Sequence, residues 1–228
     1  MHSMTSAIVV AAGTSRRMGF DKLAAVLAGR TVLEHSVRAL AATGEFAEII
    51  LVTSPARRDE AQAWIDAVRR ETGVPVRWAG GGAERQDSVA AGLAALDPAA
   101  TLVAVHDGAR PLVRADDVRR VVAEARTSGA ASLAHPVVDT LKRADGNGQV
   151  TGSVDRTDLW AMETPQVFAV DVLRDAYAAA LARGQSLTDE VSALEAAGQP
   201  VTLVPSTPGN LKITHPGDLV MAGLLMRG

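Results

Sequence analysis

Lysine is rare among the basic side chains of this 228-residue sequence, and its positions give the first indication of chemistry. Of the 23 lysines and arginines only Lys22, Lys142 and Lys212 are lysine, and each lies inside a short motif. An ammonium group is a compact point charge on a flexible stem, whereas a guanidinium group is a planar fork. Phosphate is a common partner for such a point charge. The pattern therefore indicates phosphate chemistry, with chance survival of three lysines as the alternative.

The loop after the first predicted strand combines small residues with basic ones. Ala11, Ala12 and Gly13 end an apolar run and are followed by Arg17 and Lys22. In doubly wound folds the loop after the first strand binds phosphates. Small residues let the backbone approach a nucleotide, and the two basic side chains are long enough to contact its phosphates. We predict a nucleotide-phosphate loop here, and an ordinary glycine-containing turn is the alternative.

This loop matches neither of two common nucleotide-binding motifs. A dinucleotide fingerprint needs glycines at the GxGxxG spacing, whereas the loop has Gly13, Ser15 and Met18 at those positions. A Walker loop needs lysine and then serine or threonine after its last glycine, whereas Gly19 is followed by Phe20. A dinucleotide cofactor and a P-loop are therefore both disfavoured.

An acidic residue follows another predicted strand. Asp107 comes directly after the apolar run 101–106, at the carboxyl edge where ligands of α/β sheets bind. Carboxylate oxygen is a preferred ligand of Mg²⁺, which makes Asp107 a candidate for this metal, but the residue and its position alone favour the alternative. A capping aspartate in a turn is the alternative. We expect His106 beside it to be structural.

Composition argues against several classes of protein. Hydrophobic residues make up 47% of the chain, which suits a single domain, predicted for residues 4–228. The formal net charge is −3, without long runs of one sign, which argues against a nucleic-acid partner or a membrane surface. The sequence has no cysteine and no signal-peptide pattern. We therefore predict a cytoplasmic protein whose partners are small molecules or other proteins.

Strand and helix patterns alternate along most of the chain. Strands are predicted at 7–12, 47–53, 75–78, 101–106, 130–137 and 200–205. Helices are predicted at 31–43, 54–73, 84–96, 114–127, 171–183, 189–197 and 216–226. This alternation predicts an α/β fold with a doubly wound, mainly parallel sheet. Between residues 138 and 165 the alternation stops, and a turn-rich stretch predicts a β-hairpin arm that protrudes from the domain.

Several motifs together resemble one enzyme family. The loop AAGTSRRMGFDK is similar to the signature loop of sugar-phosphate nucleotidyltransferases. Three further stretches, at 81–88, 106–111 and 136–143, narrow the resemblance to the methylerythritol-phosphate cytidylyltransferases of the non-mevalonate isoprenoid pathway. Shorter segments that agree with this family lie at 154–156, 164–166, 188–190 and 210–214. The resemblance runs from about residue 7 to residue 219 and implies a Rossmann-like nucleotidyltransferase fold.

The resemblance also implies a reaction. Such an enzyme transfers CMP from CTP to 2-C-methyl-D-erythritol 4-phosphate and releases pyrophosphate, with Mg²⁺ as cofactor and with a homodimer formed through the arm. The attacking phosphate oxygen is already ionised near neutral pH, because its second pKa is about 6, so a general base is unnecessary. The reaction instead needs alignment of the reactants and positive charge, which lysine, arginine and magnesium supply.

Residues that contact the nucleotide follow from the same resemblance. Arg17 and Lys22 resemble the pair that stabilises the α-phosphate, so we predict that they are catalytic. The remaining nucleotide contacts that the resemblance implies, to the triphosphate, the metal, the cytosine or the ribose, are Ala11, Ala12, Gly13, Gly82, Ala83, Ser88, Asp107 and Gly108.

The acceptor phosphate is expected to be bound by residues from two subunits. Thr164 and Lys212 resemble residues that close on it from the home subunit, and Arg110 resembles a further contact. Thr140 and Arg156 on the arm would act across the dimer, in the neighbour's site. Structural alternatives stay open, namely ion pairs of Arg110 with Asp116 or Asp117 and of Arg156 with Asp155 or Asp158.

Two other functions stay open at this point. The span from Arg17 to Lys22 is two residues shorter than is usual in the family, and many relatives have aspartate where this chain has Ala83. A related nucleotidyltransferase that acts on ribitol 5-phosphate or on a molybdopterin-type acceptor is therefore the first alternative. The second is a nucleotide-sensing protein without turnover, although such a protein would not need the full set of charges for a transition state.

Overall fold

A computed structural model of the chain describes residues 4–13 and 20–227. The strands of this structure are numbered in chain order. They are β1 (Met4–Val10), β2 (Val26–Leu27), β3 (Arg30–Thr31), β4 (Glu48–Thr53), β5 (Val76–Gly80), β6 (Ala100–Asp107), β7 (Ala130–Pro136), β8 (Lys142–Ala144), β9 (Val150–Ser153), β10 (Trp160–Ala169) and β11 (Thr202–Pro205). The helices are α1 (Val32–Ala41), α2 (Pro55–Thr72), α3 (Arg85–Ala94), α4 (Ala115–Ser128), α5 (Val170–Ala182), α6 (Glu190–Ala196) and α7 (Pro216–Leu225).

A seven-stranded sheet forms the centre of the molecule. Its strand order from edge to edge is β11, β7, β10, β6, β1, β4 and β5. The pairs within β6, β1, β4 and β5 are parallel, as is the pair of β7 with β11, while β10 is antiparallel to both of its neighbours. The structure therefore confirms the predicted mainly parallel α/β sheet.

Helices cover both faces of this sheet, which is why β4 and β6 are almost continuously apolar. Successive residues of a strand point to opposite faces. On β6, Leu102 and Ala104 lie in the core beneath α1, α2 and α4, whereas Val103 and Val105 lie in the core beneath α3, α5 and α6. The two cores make the fold doubly wound.

Local sequence signals account for the ends of several helices. The side chain of Thr31 caps α1 by accepting a hydrogen bond from the Glu34 backbone N–H at 3.1 Å. Ser54 caps α2 and Pro55 occupies its first turn. Gly73 ends α2 with φ of 75°, a left-handed conformation that glycine adopts without steric cost. These caps were predictable because each depends on a residue and its near neighbours.

The prediction for the first strand was wrong by several residues. The run 7–12 was expected to be strand, whereas β1 is Met4–Val10. Parallel pairing of β1 with β6 continues to Val10 opposite Asp107. Beyond this pair the carboxyl ends of the strands are reached, and Ala11 and Ala12 belong to the loop that follows. An apolar run alone does not distinguish the last strand residue from a buried loop residue.

A central strand was also missed. Residues up to 165 were assigned to the arm, whereas β10 places Trp160–Ala169 inside the sheet, between β6 and β7. Polar residues interrupt its sequence, and their partners lie elsewhere in the chain. Buried Glu163 accepts a hydrogen bond from Asn210, and buried Gln166 donates one to Asp189. Such a strand has no apolar pattern to recognise.

The remaining part of the predicted arm does contain a hairpin. Strands β8 and β9 pair with each other in an antiparallel two-stranded sheet, separate from the central one. Asp145 shapes the connecting turn, since its carboxylate accepts hydrogen bonds from the backbone N–H groups of Asn147 and Gln149. Within residues 4–13 and 20–227, no helix is both long and apolar enough to cross a membrane.

Candidate active site

An open cavity of about 700 Å³ lies at the carboxyl ends of β1 and β6. It brings together residues from four of the motifs, although they are far apart in the sequence. Predicted site residues that line it are Ala11, Ala12, Gly13, Lys22, Gly82, Ala83, Ser88, Asp107, Gly108 and Lys212. Ligands of doubly wound folds bind at this edge of the sheet. The cavity is therefore the candidate site.

The floor of the cavity is anchored at Ala11. Its carbonyl oxygen accepts hydrogen bonds from the Thr53 hydroxyl at 3.2 Å and from Nη1 of Arg57 at 2.5 Å. Arg57 also forms an ion pair with Asp21, next to Lys22. One guanidinium group thus joins the end of β1 to the segment that carries Lys22. Arg57 lies outside every motif, so its residue type and position in the sequence give no indication of this role.

Close packing explains the glycines opposite this floor. A Cβ atom on Gly81 would lie 2.3 Å from the Cβ of Ala12, and one on Gly82 would lie 2.2 Å from the Cβ of Asp87. Real Cβ atoms do not approach so closely. The Gly82 N–H donates to the buried Ser88 hydroxyl at 3.2 Å, so in this structure the Ser88 side chain stabilises the conformation of the loop.

Lys22 reaches across the cavity to the motif near the end of the chain. Its ammonium group donates a hydrogen bond to the Ile213 carbonyl at 2.7 Å. The neighbouring residue, Lys212, binds Asp107. Two of the three lysines therefore meet in one site. Arg17 lies outside the described residues, so its catalytic role stays a prediction.

Asp107 is the most heavily contacted group in the described part of the cavity. Arg85 Nη1 lies 2.6 Å from its Oδ1, and Lys212 Nζ lies 2.8 Å from its Oδ2. Arg110 Nε is 3.6 Å from Oδ2. Burial alone would raise the pKa of this carboxyl group, but the charges of Arg85, Lys212 and Arg110 outweigh burial and hold the pKa well below its usual range. Asp107 is ionised at neutral pH.

Arg110 does not line the cavity, and it forms neither of the alternative ion pairs, with Asp116 or with Asp117. Its Nη1 donates to the Asn210 carbonyl at 2.7 Å, and the side chain is buried. Asp116 pairs with Arg119 instead, and Asp117 pairs with Arg120. The reason is that Arg110 points into the domain, towards Asp107 and the 210–214 segment. A substrate contact for Arg110 stays a prediction.

Thr164 supports Asp107 from behind. Its hydroxyl oxygen accepts a hydrogen bond from the Asp107 backbone N–H at 3.0 Å and lies 3.1 Å from His106 Nδ1. His106 Nε2 lies 3.1 Å from the Arg110 carbonyl, an acceptor, so the network assigns the proton to Nε2. Both side chains are buried and outside the cavity lining, in agreement with the structural role predicted for His106. Contact of Thr164 with substrate stays a prediction.

The arm residues are not part of the cavity lining of their own chain. Thr140 and Arg156 are exposed and do not line it. Arg156 donates to the Val138 carbonyl, and the ion pairs considered with Asp155 and Asp158 are not among those of the described residues. Lys142 donates across the hairpin to Ser153, which sets it apart from the two cavity lysines.

A divalent metal would find one buried carboxylate here. Among the described residues, no three His, Cys, Asp or Glu side chains form a group that could hold a metal ion. Mg²⁺ is usually bound by one or two carboxylates together with substrate phosphates and water. Asp107 fits that role if Lys212, whose side chain is 44% exposed, releases Oδ2. The residues present are thus compatible with a Mg²⁺ that arrives with a nucleotide.

Comparison with known proteins points to one family. The profile for IspD, 2-C-methyl-D-erythritol 4-phosphate cytidylyltransferase, matches residues 5–228. The 2-C-methyl-D-erythritol 4-phosphate cytidylyltransferase of Prochlorococcus marinus (strain MIT 9313) is 44% identical over 218 residues, which cover 94% of this chain and 95% of that protein. The sequence similarity therefore extends over nearly the whole chain.

Solved structures agree with the sequence comparison. The crystal structure of 2-C-methyl-D-erythritol 4-phosphate cytidylyltransferase from Thermus thermophilus has a TM-score of 0.81 at 35% identity and covers 99% of this chain and 100% of that one. The 4-diphosphocytidyl-2C-methyl-D-erythritol synthase of Anaerococcus prevotii DSM 20548 has a TM-score of 0.84 at 28% identity, with 99% of each chain covered. The chain therefore has the Rossmann-like fold of these nucleotidyltransferases.

Burial of His106 predicts a pH-dependent stability. Its pKa is lowered from 6.5 to about 4, chiefly by burial, so between these values the unfolded chain binds more protons than the folded one. Stability should therefore fall as the pH falls from about 6.5 to about 4, by about 3 kcal/mol in total at about 1.4 kcal/mol for each pKa unit. Urea unfolding without metal or nucleotide measures this slope.

The His106→Gln variant is the control for this prediction, because it removes the titrating ring. Its overall stability should be lower, but stability should depend less on pH within that window. Asp107 affects the stability of the protein in a different pH range. Because its pKa is depressed in the folded protein, its stabilising contribution is lost only as the pH falls below the unfolded value of 3.8. An unchanged slope in His106→Gln would assign the pH dependence to other groups.

Proposed function

The chain belongs to the 2-C-methyl-D-erythritol 4-phosphate cytidylyltransferase family, and from this premise we propose how its cavity carries out the reaction. The enzyme transfers CMP from CTP to 2-C-methyl-D-erythritol 4-phosphate, releases pyrophosphate and acts in isoprenoid biosynthesis. One observation carries the assignment of the site: residues of the four motifs line a single cavity that contains two lysines.

The chemistry of the cavity suits phosphoryl transfer between phosphates. A phosphate oxygen of the acceptor attacks the α-phosphorus of CTP, the bond from that phosphorus to the β-phosphate oxygen breaks, and pyrophosphate leaves with the bonding electrons. The attacking oxygen is already ionised near neutral pH because its pKa is about 6, so it gives up no proton to the protein. Lys22, Arg85 and Lys212 line the cavity and stabilise the charge that develops on the phosphates.

We propose Mg²⁺ as the cofactor, held by Asp107 together with the phosphates of the nucleotide. The ionised state of Asp107 supports this role, as does the half-exposed side chain of its partner Lys212. When bound, the metal would neutralise charge on the polyphosphate and on the departing pyrophosphate. Lys212, released from Asp107, would then bind phosphate. The proposed location of the protein in the cytoplasm stays a prediction from its sequence.

We also propose a homodimer in which the arm of each subunit completes the other's acceptor site. Thr140 and Arg156 are exposed on the arm and do not line the cavity of their own chain. The arm segment also exposes the apolar side chains of Val138, 76% accessible, and Val150, 66% accessible. Exposed apolar side chains grouped on a protruding segment are typical of a protein contact. A second copy of the chain would bury them.

A substrate panel tests the proposed reaction. CTP, UTP, ATP and GTP are each incubated with 2-C-methyl-D-erythritol 4-phosphate or ribitol 5-phosphate, with Mg²⁺ or with EDTA, while pyrophosphate release and product mass are measured. Only CTP with methylerythritol phosphate and Mg²⁺ should give rapid turnover. Preference for ribitol phosphate would contradict the assigned acceptor, activity in EDTA would contradict the metal, and absence of turnover with every pair would favour a nucleotide sensor.

The Lys22→Ala variant tests the role of positive charge in the transition state. Charge stabilisation expressed in the transition state should lower kcat by roughly 10²- to 10³-fold while changing KM for CTP much less. Steady-state kinetics with varied CTP measures both. Arg119→Ala, which removes an exposed cation on α4, is the matched control and should behave as the wild type. An unchanged kcat in Lys22→Ala would remove Lys22 from the mechanism.

Mixing two inactive variants tests the exchange of arms. In a dimer of one Lys22→Ala chain and one Arg156→Ala chain, crossed sites would leave one of the two sites with both residues intact. Random pairing would then restore about a quarter of the wild-type activity. The assay is pyrophosphate release after refolding the two chains together, with mixed dimers confirmed by mass. No recovery in confirmed mixed dimers would place Arg156 outside the neighbour's site.

A further inference from the structure

A buried carboxylate lies behind the site and belongs to a motif that the reaction does not use. Glu190 is the first residue of α6 and its side chain is fully buried. A buried charge is costly unless it is paired and hydrogen-bonded. Arg85 supplies both requirements, since its Nε donates to Oε1 at 3.2 Å and its Nη2 donates to Oε2 at 2.8 Å. The Tyr177 hydroxyl adds a third hydrogen bond, to Oε1 at 3.1 Å.

Arg85 uses its remaining terminal nitrogen on the active-site carboxylate. Nη1 donates to Oδ1 of Asp107 at 2.6 Å, while Lys212 occupies Oδ2. A guanidinium group is planar, so fixing two of its nitrogens on one carboxylate also fixes the direction of the third. Glu190, which lies 105 positions after Arg85 in the sequence, therefore sets the direction of the contact between Arg85 and Asp107.

The segment that carries Glu190 is itself held in place. The Leu187 backbone N–H donates to the side-chain oxygen of Gln86, which follows Arg85 on α3. Asp189 caps α6 and accepts a hydrogen bond from Gln166 of β10. The motif 188–190 is thus attached both to the helix that carries Arg85 and to the sheet beside Asp107. This arrangement makes Glu190 a rigid support for the guanidinium group.

We propose that Glu190 is a positioning residue for the transfer reaction, which holds Arg85 so that Arg85 fixes Oδ1 of Asp107 and leaves Oδ2 to Lys212 and to the proposed Mg²⁺. The inference rests on the proposed function of Asp107. Without the negative charge of Glu190, Arg85 would be a cation whose nearest remaining anions are Asp107 and the triphosphate. It would move towards them, so Asp107 would lose its orientation while the cavity kept its attraction for CTP.

The Glu190→Gln variant separates this role from a purely structural one. It keeps the size of the side chain and removes its charge, so we expect kcat to fall roughly 10- to 100-fold, the range typical of residues that orient a ligand-binding group. KM for CTP should stay unchanged or decrease, because Arg85 is freed towards the phosphates. Steady-state kinetics with varied CTP measures both quantities. A general loosening of the cavity would instead raise KM.

Three further variants complete the test. Glu195→Gln changes an exposed glutamate on the same helix and should keep wild-type kinetics. In an Arg85→Gln background, single-turnover assays with labelled CTP should show no further loss from Glu190→Gln, because both changes interrupt one chain of contacts. If Glu190→Gln does not fold, as judged by circular dichroism, Glu190→Asp replaces it, since the shorter side chain keeps the charge but withdraws it from Arg85.

The outcomes distinguish this inference from the role of Asp107 itself. Asp107→Asn with wild-type kcat would contradict the role of Asp107 and, with it, the positioning role of Glu190. A strong loss in Asp107→Asn together with unchanged kcat in the Glu190 variant would overturn the positioning role and leave the proposed function intact. The positioning role would also be overturned if the kcat losses of Glu190→Gln and Arg85→Gln multiply in the double variant. A Glu190→Gln variant with a raised KM and an unchanged kcat would overturn it as well.

Discussion

The site depends on one buried carboxylate that is surrounded by positive charge. Asp107 occupies the carboxyl end of β6, and Arg85, Lys212 and Arg110 approach it from three different parts of the chain. Taking a carboxylate out of water is unfavourable unless such partners compensate for the lost hydration. The partners in turn determine where α3, the 210–214 segment and the end of β6 lie relative to one another. The need to compensate the buried charge of Asp107 therefore links the arrangement of these elements to the site.

The charge of the cavity differs in sign from that of the whole protein. The chain has a formal net charge of −3, yet the described part of the lining contains three cations, Lys22, Arg85 and Lys212, and two carboxylates, Glu84 and Asp107. A concave surface with a local excess of positive charge attracts anionic ligands in preference to the rest of the surface. The local charge of the described lining therefore favours a polyphosphate although the formal net charge of the chain is negative.

The sequence was sufficient for features that depend on neighbouring residues. The strands β4 and β6 are apolar runs, Thr31 and Ser54 are recognisable caps, and the first cavity loop and Asp107 stand out by residue type and position. The cavity-lining motifs at 81–88 and 210–214 were identified only through their resemblance to the family. Features that depend on distant partners were not accessible in this way. Strand β10 contains buried polar residues that are satisfied only by remote groups, and Glu190 becomes interpretable only when Arg85 is seen beside it.

The arginine and lysine side chains of the site make different kinds of contact, which explains why both occur there. Arg85 and Arg110 hold fixed acceptors with their planar groups, on Glu190, Asp107 and the Asn210 carbonyl. A guanidinium group in such a network cannot leave one partner without disturbing the others. The ammonium groups of Lys22 and Lys212 instead contact the Ile213 carbonyl and Oδ2 of Asp107, from flexible side chains. In the proposed reaction, phosphate oxygens would replace these contacts while the arginine framework stays in place, and the two lysines would follow the charge as it moves from CTP to pyrophosphate.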